Sequence, residues 1–218
     1  MRKLLLSVTA MLAFATSAQA VSVTGAFGAP DPGPLSGQSV VWSFDGPGAA
    51  GYSWSGGLAT SCKSISGAAM PAVGPGGTAS CFGYVSSALN PNNATLSTPD
   101  LKSISFYWGS IDKYNSVDVL GAGGATIFSI AGGALPPAAG NQKEPNSNRR
   151  VNFIAGAGQV ITGLRLSSTG VAFEFDTFAA ESMVTTAGIP EPASWAMLIA
   201  GFGLVGAASR RRNMTVAA

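Results

Sequence analysis

The chain has 218 residues, of which only 10% are charged, 12 basic against 10 acidic, and it contains no histidine. Without histidine, Ser-His-Asp and Cys-His catalysis in their usual forms are excluded, as are most zinc sites. Nucleic acid is set aside as a partner: the one basic doublet in the body, Arg149-Arg150, sits beside a polar loop and is expected to be solvated rather than to neutralise phosphates.

Arg2 and Lys3 open the chain, an apolar run follows from Leu4 to Phe14, and Ala18-Gln19-Ala20 supplies an A-x-A cleavage pattern. That order predicts a helical signal peptide over residues 1–20, recognised by the Sec translocon, with a mature chain starting at Val21. No Cys follows the cleavage site, which argues against a lipoprotein anchor. Five of the basic residues, Arg2, Lys3, Arg210, Arg211 and Arg212, lie outside the span 21–189, as does one acid, Glu191. Seven basic residues then face nine acids, and the body carries a net charge of −2.

Residues 21–180 have the length of one domain with a sizeable core. Long helical periodicity is absent, and short alternating segments recur: Val40 to Phe44, Lys102 to Trp108, Val117 to Leu120, Thr126 to Ile130, Val151 to Ile154, Val160 to Leu166 and Val171 to Phe178. In the second of these, Ile104, Phe106 and Trp108 share one face while Ser103, Ser105 and Tyr107 share the other, the period-two pattern of a half-buried strand. Gly121-Ala122-Gly123-Gly124 and Ser167-Ser168-Thr169-Gly170 supply turns between such runs. The expectation is an all-β domain, a single β-sandwich or jelly roll. Ala29 to Gly37 and Ala134 to Asn148 are rich in Pro, Gly and Asn and are expected to be loops, the second long enough to be functional or disordered, with disorder slightly favoured.

Cys62 and Cys81 are the only cysteines. In an exported chain an even count points to pairing, here with a single connectivity, and the loop of about twenty residues that it closes corresponds to about 3 kcal/mol in the chain-entropy model. Glu174 and Asp176 alternate with Phe173 and Phe175, so both acids fall on one strand face. Such a pair serves calcium binding, acid/base chemistry or a solvated polar face, and the last is the expectation. Asp112 and Asp118, flanking Tyr114 and Asn115, invite the same readings, with a role in a turn and strand start favoured. No resident metal or cofactor is expected.

Residues 181–189 form a linker to an apolar tail. Trp195 to Ala208 is fourteen residues long, and Pro190, Glu191 and Pro192 precede it while Arg210, Arg211 and Arg212 follow. As a helix it would span roughly 21 Å against a hydrocarbon core of about 30 Å, a marginal transmembrane length that Trp195 at one interface and snorkelling arginines at the other would extend. The positive-inside rule keeps the arginines and residues 213–218 cytoplasmic, with the body outside. The prolines hold the backbone around Glu191 extended, accessible to a processing enzyme. Gly201 to Gly206 fits G-x-G-x-x-G, yet no acid follows to receive a ribose, so a dinucleotide site is excluded.

Read together, PEPASWAMLIAGFGLVGAASRRR resembles the PEP-CTERM sorting signal, also called the ice-binding protein C-terminal domain, in the PEPxxWA variety carried by surface proteins of Gram-negative bacteria. The resemblance implies an exosortase as processing partner, with Pro190, Glu191 and Pro192 carrying recognition and Trp195 and the arginine cluster completing the match. It implies transient residence in the inner membrane followed by display at the cell surface or in the extracellular matrix, in an exopolysaccharide and biofilm setting. Within the body, Phe106 to Asn115 and Ala172 to Asp176 resemble the FYWGS-x-D-x-YN and AFEFD stretches of one set of exosortase-dependent surface proteins. Two readings of the body follow. One is a structural or adhesive, non-enzymatic surface domain; the other is a carbohydrate-binding or carbohydrate-cleaving module. The second would use Tyr107, Trp108 and Tyr114 as stacking aromatics and Asp112, Glu174 and Asp176 as calcium ligands or acid/base groups, with exopolysaccharide as partner.

Overall fold

The computed structural model describes residues 20–72, 80–142, 145–183 and 199–202. The chain divides into two units, Met1–Met183 and Val184–Ala218. The first holds eleven strands among its described residues: β1 (Ser22–Phe27), β2 (Ser39–Trp42), β3 (Ser53–Gly56), β4 (Ala59–Ser61), β5 (Phe82–Val85), β6 (Asn93–Gly109), β7 (Asn115–Leu120), β8 (Thr126–Ala131), β9 (Arg149–Ile154), β10 (Ile161–Ser168) and β11 (Phe173–Ser182). The all-β expectation holds. Pairing is antiparallel throughout and continuous, in the order β4-β5-β11-β6-β10-β7-β8, with β9 and β3 also on β6, β1 on β9 and β2 on β11. Hydrogen bonding therefore makes one open sheet, whereas a sandwich would have two.

The reason lies in β6. Its first half, Ala94 to Ser97, pairs with β10 and β3, and its second half, Ser103 to Trp108, with β9 and β11. Core positions along β6 are Ala94, Leu96, Leu101, Ile104, Phe106 and Trp108, and the steps from Leu96 to Leu101 and from Leu101 to Ile104 are odd, so strict alternation breaks twice. Each break coincides with a register shift, opposite Ile161/Gly163 of β10 and opposite Glu181/Ser182 of β11. Such irregularities bend a strand and increase its twist. One strand of 17 residues thus belongs to both halves of the sheet, and Pro99, which cannot donate to a ladder, falls at the bend. The inner faces of the halves meet: Phe128 of β8 lies 6.3 Å, ring centre to ring centre, from Phe153 of β9, a strand with which it does not pair.

The predicted parity of β6 is correct. Ile104, Phe106 and Trp108 are fully buried, and Trp108 stacks on Phe173 with centroids 4.4 Å apart. The opposite face is also buried, because the loop after β1 and the segment after β4 cover it. The Gln38 amide donates to Ser103 Oγ (3.0 Å) and accepts from Ser105 Oγ (2.7 Å), and the Tyr107 hydroxyl lies 2.8 Å from the carbonyls of both Gly28 and Ala72.

That cover overturns one expectation outright. Arg150 is 1% exposed: it forks onto Asp31 through Nε (2.8 Å) and Nη2, and donates to Ser105 Oγ (2.9 Å) and the Thr177 carbonyl (3.0 Å). Arg149 is buried too and donates to the Pro136 carbonyl. The doublet is internal scaffolding, because the polar loops beside it pack onto the sheet instead of leaving it to water. The described part of Ala134 to Asn148 is likewise packed rather than disordered, with Leu135 and Ala138 in the core and a short 3-10 turn at Pro145–Ser147. Cys62 and Cys81 form a disulfide. β11 runs to Ser182, so Glu181 and Ser182, assigned to the linker from sequence, close the last strand.

The signal-peptide residues 1–19, Ala18 included, lie outside the described residues, as do residues 184–198 and 203–218 with Pro190, Glu191, Pro192, Trp195 and the three arginines. Ala20 is exposed, and Val21 beside it is buried in the core. Residues 199–202 are helical. Among the described residues no helix is long and apolar enough to cross a membrane.

Candidate functional site

β11 builds the site by alternation. Phe173 and Phe175 enter the core, and Glu174 and Asp176 point to the other face, as their spacing predicts. The expectation that this face is solvated fails, since Glu174 is 3% and Asp176 7% exposed. Two facts account for it. β11 is an interior strand, flanked by β6 on one side and by β5 and β2 on the other. The disulfide-closed segment between β4 and β5 then lies over its polar face. The Ala69 amide donates to Glu174 Oε1 (2.9 Å), with Ser110 Oγ 3.5 Å from Oε2. Asp176 accepts from Ser80 Oγ (2.6 Å) and from the Thr177 amide (2.6 Å).

Burial disfavours the charged form of both acids. It pushes Glu174 up from 4.5 to about 7, with like charge on Asp112 adding to it and hydrogen bonds to Ala69 and Ser110 opposing it. Asp176 rises from 3.8 to about 6, again chiefly through burial, with hydrogen bonds from Ser80 and Thr177 opposing it. The folded protein therefore holds protons that the unfolded chain has already released. The stability these groups contribute is complete below the unfolded values of 4.5 and 3.8 and is lost as pH rises towards about 7 and about 6. At about 1.4 kcal/mol per pH unit, Glu174 alone accounts for about 3 kcal/mol. The oxidised protein is expected to melt at a higher temperature near pH 5 than near pH 8, with Glu174→Gln flattening the profile; rising stability over that interval would contradict the assignment.

Asp112 is half-buried in the β6–β7 turn. Its carboxylate accepts from the Tyr114 hydroxyl (2.6 Å), its carbonyl accepts from the Asn115 amide (3.2 Å), and desolvation raises its pKa. The favoured turn role is what this geometry does. Asp118 departs from the expected turn and strand-start role: it sits inside β7 and pairs with Arg165 of β10 across the register (2.6 Å). The fold brings Asp112 near Glu174, but among the described residues no group of three or more His, Cys, Asp or Glu side chains is placed to hold a metal ion.

The stacking aromatics proposed for a sugar are not available together. Trp108 is fully buried and Tyr107 4% exposed. Tyr114 is half-buried, its hydroxyl 2.9 Å from the Val171 carbonyl, and Gly170 packs so closely on its ring that a Cβ there would come within 2.6 Å. Sequence reasoning missed a different aromatic group, in which Trp42 and Phe44 pack with Trp54 at centroid distances of 6.4 and 6.1 Å. Trp54 also stacks on Phe175 at 5.6 Å, so this group is the rim of the core. Its signal was the odd-even clustering of Trp42 with Phe44 and of Tyr52 with Trp54.

The tail is where comparison with known proteins is informative: residues 188–212 match the family model of the PEP-CTERM protein-sorting motif. No curated protein and no solved structure matches the chain.

Proposed function

We propose that this PEP-CTERM-bearing chain is a structural or adhesive, non-enzymatic protein of the cell surface or extracellular matrix, exported through the Sec translocon and processed at its tail by an exosortase. The sorting motif at residues 188–212 carries the reading, since it implies an exported, exosortase-dependent protein with exosortase as its sorting partner. An inner-membrane-anchored precursor and an exopolysaccharide or biofilm setting are the finer parts of the proposal. The body supports a display role in two ways. Its carboxyl pair lies side by side under a covering segment, whereas hydrolytic carboxylates stand across a cleft at about 5 to 10 Å. Its polar interior is committed to holding loops onto the sheet, as Asp31 and Arg150 illustrate.

Replacing Glu191 with Ala, or the three terminal arginines with Ser, should leave the β-domain folded and strand it in the wrong cell fraction. If both variants reach the surface as the parent does, the sorting proposal is wrong.

A further inference from the structure

The segment over β11 is held by polar pegs and by a small apolar cluster of Ala68 and Met70 with Phe82 and Ala172, rather than by strand pairing. Pro71 lies against Gly109, where a Cβ would come 2.8 Å from Pro71 Cγ. The Ala69 amide meets Glu174, the Ala72 amide meets Asn148 Oδ1 (3.1 Å), Ser80 Oγ meets Asp176, and the Cys81 amide meets Asp45 Oδ1 (2.8 Å). In the described part of the segment the one β-bridge, Ile65 to Ala68, is internal to it. Lifting residues 63–72 would break no ladder bond of β11, and the Cys62–Cys81 bridge keeps both ends of the segment attached.

We propose that Glu174 and Asp176 form a pH-governed latch: uncharged, they stay buried beneath residues 63–72 and beneath Ser80 respectively, and on ionisation residues 63–72 lift from β11 and Ser80 releases Asp176, so that both carboxylates reach water.

The surroundings favour release. Glu174 faces Asp112, Tyr114 and, in register, Tyr84 of β5; Asp176 faces Asp45 and, in register, Tyr107 of β6. Both nearby acids are like charges. Arg150, which donates to the adjacent Thr177 carbonyl, is engaged by Asp31, and Lys63 is the only charged residue from 63 to 81. A buried carboxylate without a cationic partner is costly, and hydration after local opening is the least disruptive way to accommodate it. Burial already holds both groups above their ordinary values, which places the transition near neutral pH.

The test is hydrogen exchange of the oxidised protein at about pH 5.5 and about pH 8.5, corrected for intrinsic exchange, with peptides from β7 and β10 as internal reference. Residues 63–72 should lose at least about tenfold in protection at the higher pH and exchange well ahead of the reference strands, and a Glu174→Gln, Asp176→Asn variant should stay protected at both. Equal protection of 63–72 in the parent at both values, or exchange of 63–72 only in step with the reference strands, overturns the latch. Carboxyl-carbon titration of the parent by NMR decides the matter if the double variant does not fold. Midpoints that coincide with the loss of protection support the latch, and failure of either group to ionise below about pH 9 overturns it.

Discussion

Asp31→Ala should destabilise the β-domain by about 3 kcal/mol or more in urea denaturation with the disulfide intact, a large effect for a residue in a Pro-Gly-rich loop. What remains after the substitution sets the size of the loss. Arg150 is 1% exposed, and the Ser105 hydroxyl and Thr177 carbonyl, its other partners, carry no charge to balance the guanidinium. Removing one member of a buried pair leaves an uncompensated charge and costs about 3 to 5 kcal/mol, whereas replacing both members with apolar groups is often close to neutral. The double variant Asp31→Ala, Arg150→Met should therefore recover much of what Asp31→Ala loses. A loss below about 1 kcal/mol for Asp31→Ala would mean that the pair behaves as an exposed one.

Trp108→Ala should cost about 3 to 5 kcal/mol, the range for truncating a large buried aromatic. Trp108 is fully buried and lies between Phe106 at 5.8 Å and Phe173 at 4.4 Å, on the inward face that the paired strands β6 and β11 share. Its indole Nε1 has no hydrogen-bond partner among the described residues, so the cost of truncation is the cavity and the lost stacking. Trp108→Phe, which keeps the stack and removes that unpaired donor, should cost less than about 1.5 kcal/mol. If Trp108→Ala is tolerated within about 1 kcal/mol, this core centre is misassigned, and an exposed sugar-stacking role for Trp108 becomes admissible again.

These two residues mark the boundary of what was legible in the sequence. Trp108 was placed correctly because period-two alternation is local: Ile104, Phe106 and Trp108 declare one face from their own spacing, as Phe173 and Phe175 do on β11. What covers the other face is not local. Asp31 stands 119 residues from Arg150, and Ala69 stands 105 residues from Glu174. Polar residues opposite an apolar face therefore looked solvated when they were anchoring distant loops. The strands that escaped notice, β1, β3, β4 and β5, are three to six residues long, and their pairing partners fix them more than their own pattern does. The first half of β6 was missed because Pro99 reads as a strand boundary; here it marks the bend that carries one strand through both halves of the sheet. The tail was the most legible part of the chain, since its signal lies in contiguous residues and needs no tertiary partner.

The measurement that tests the central proposal most directly is the C-terminal sequence of the surface-exposed protein, by mass spectrometry, in a host with an exosortase and in the same host lacking it. Surface material from the first host should end upstream of Arg210-Arg211-Arg212, while the second host should retain the chain through Ala218 in its membrane fraction. Surface material that carries the full tail in both hosts would contradict the proposal.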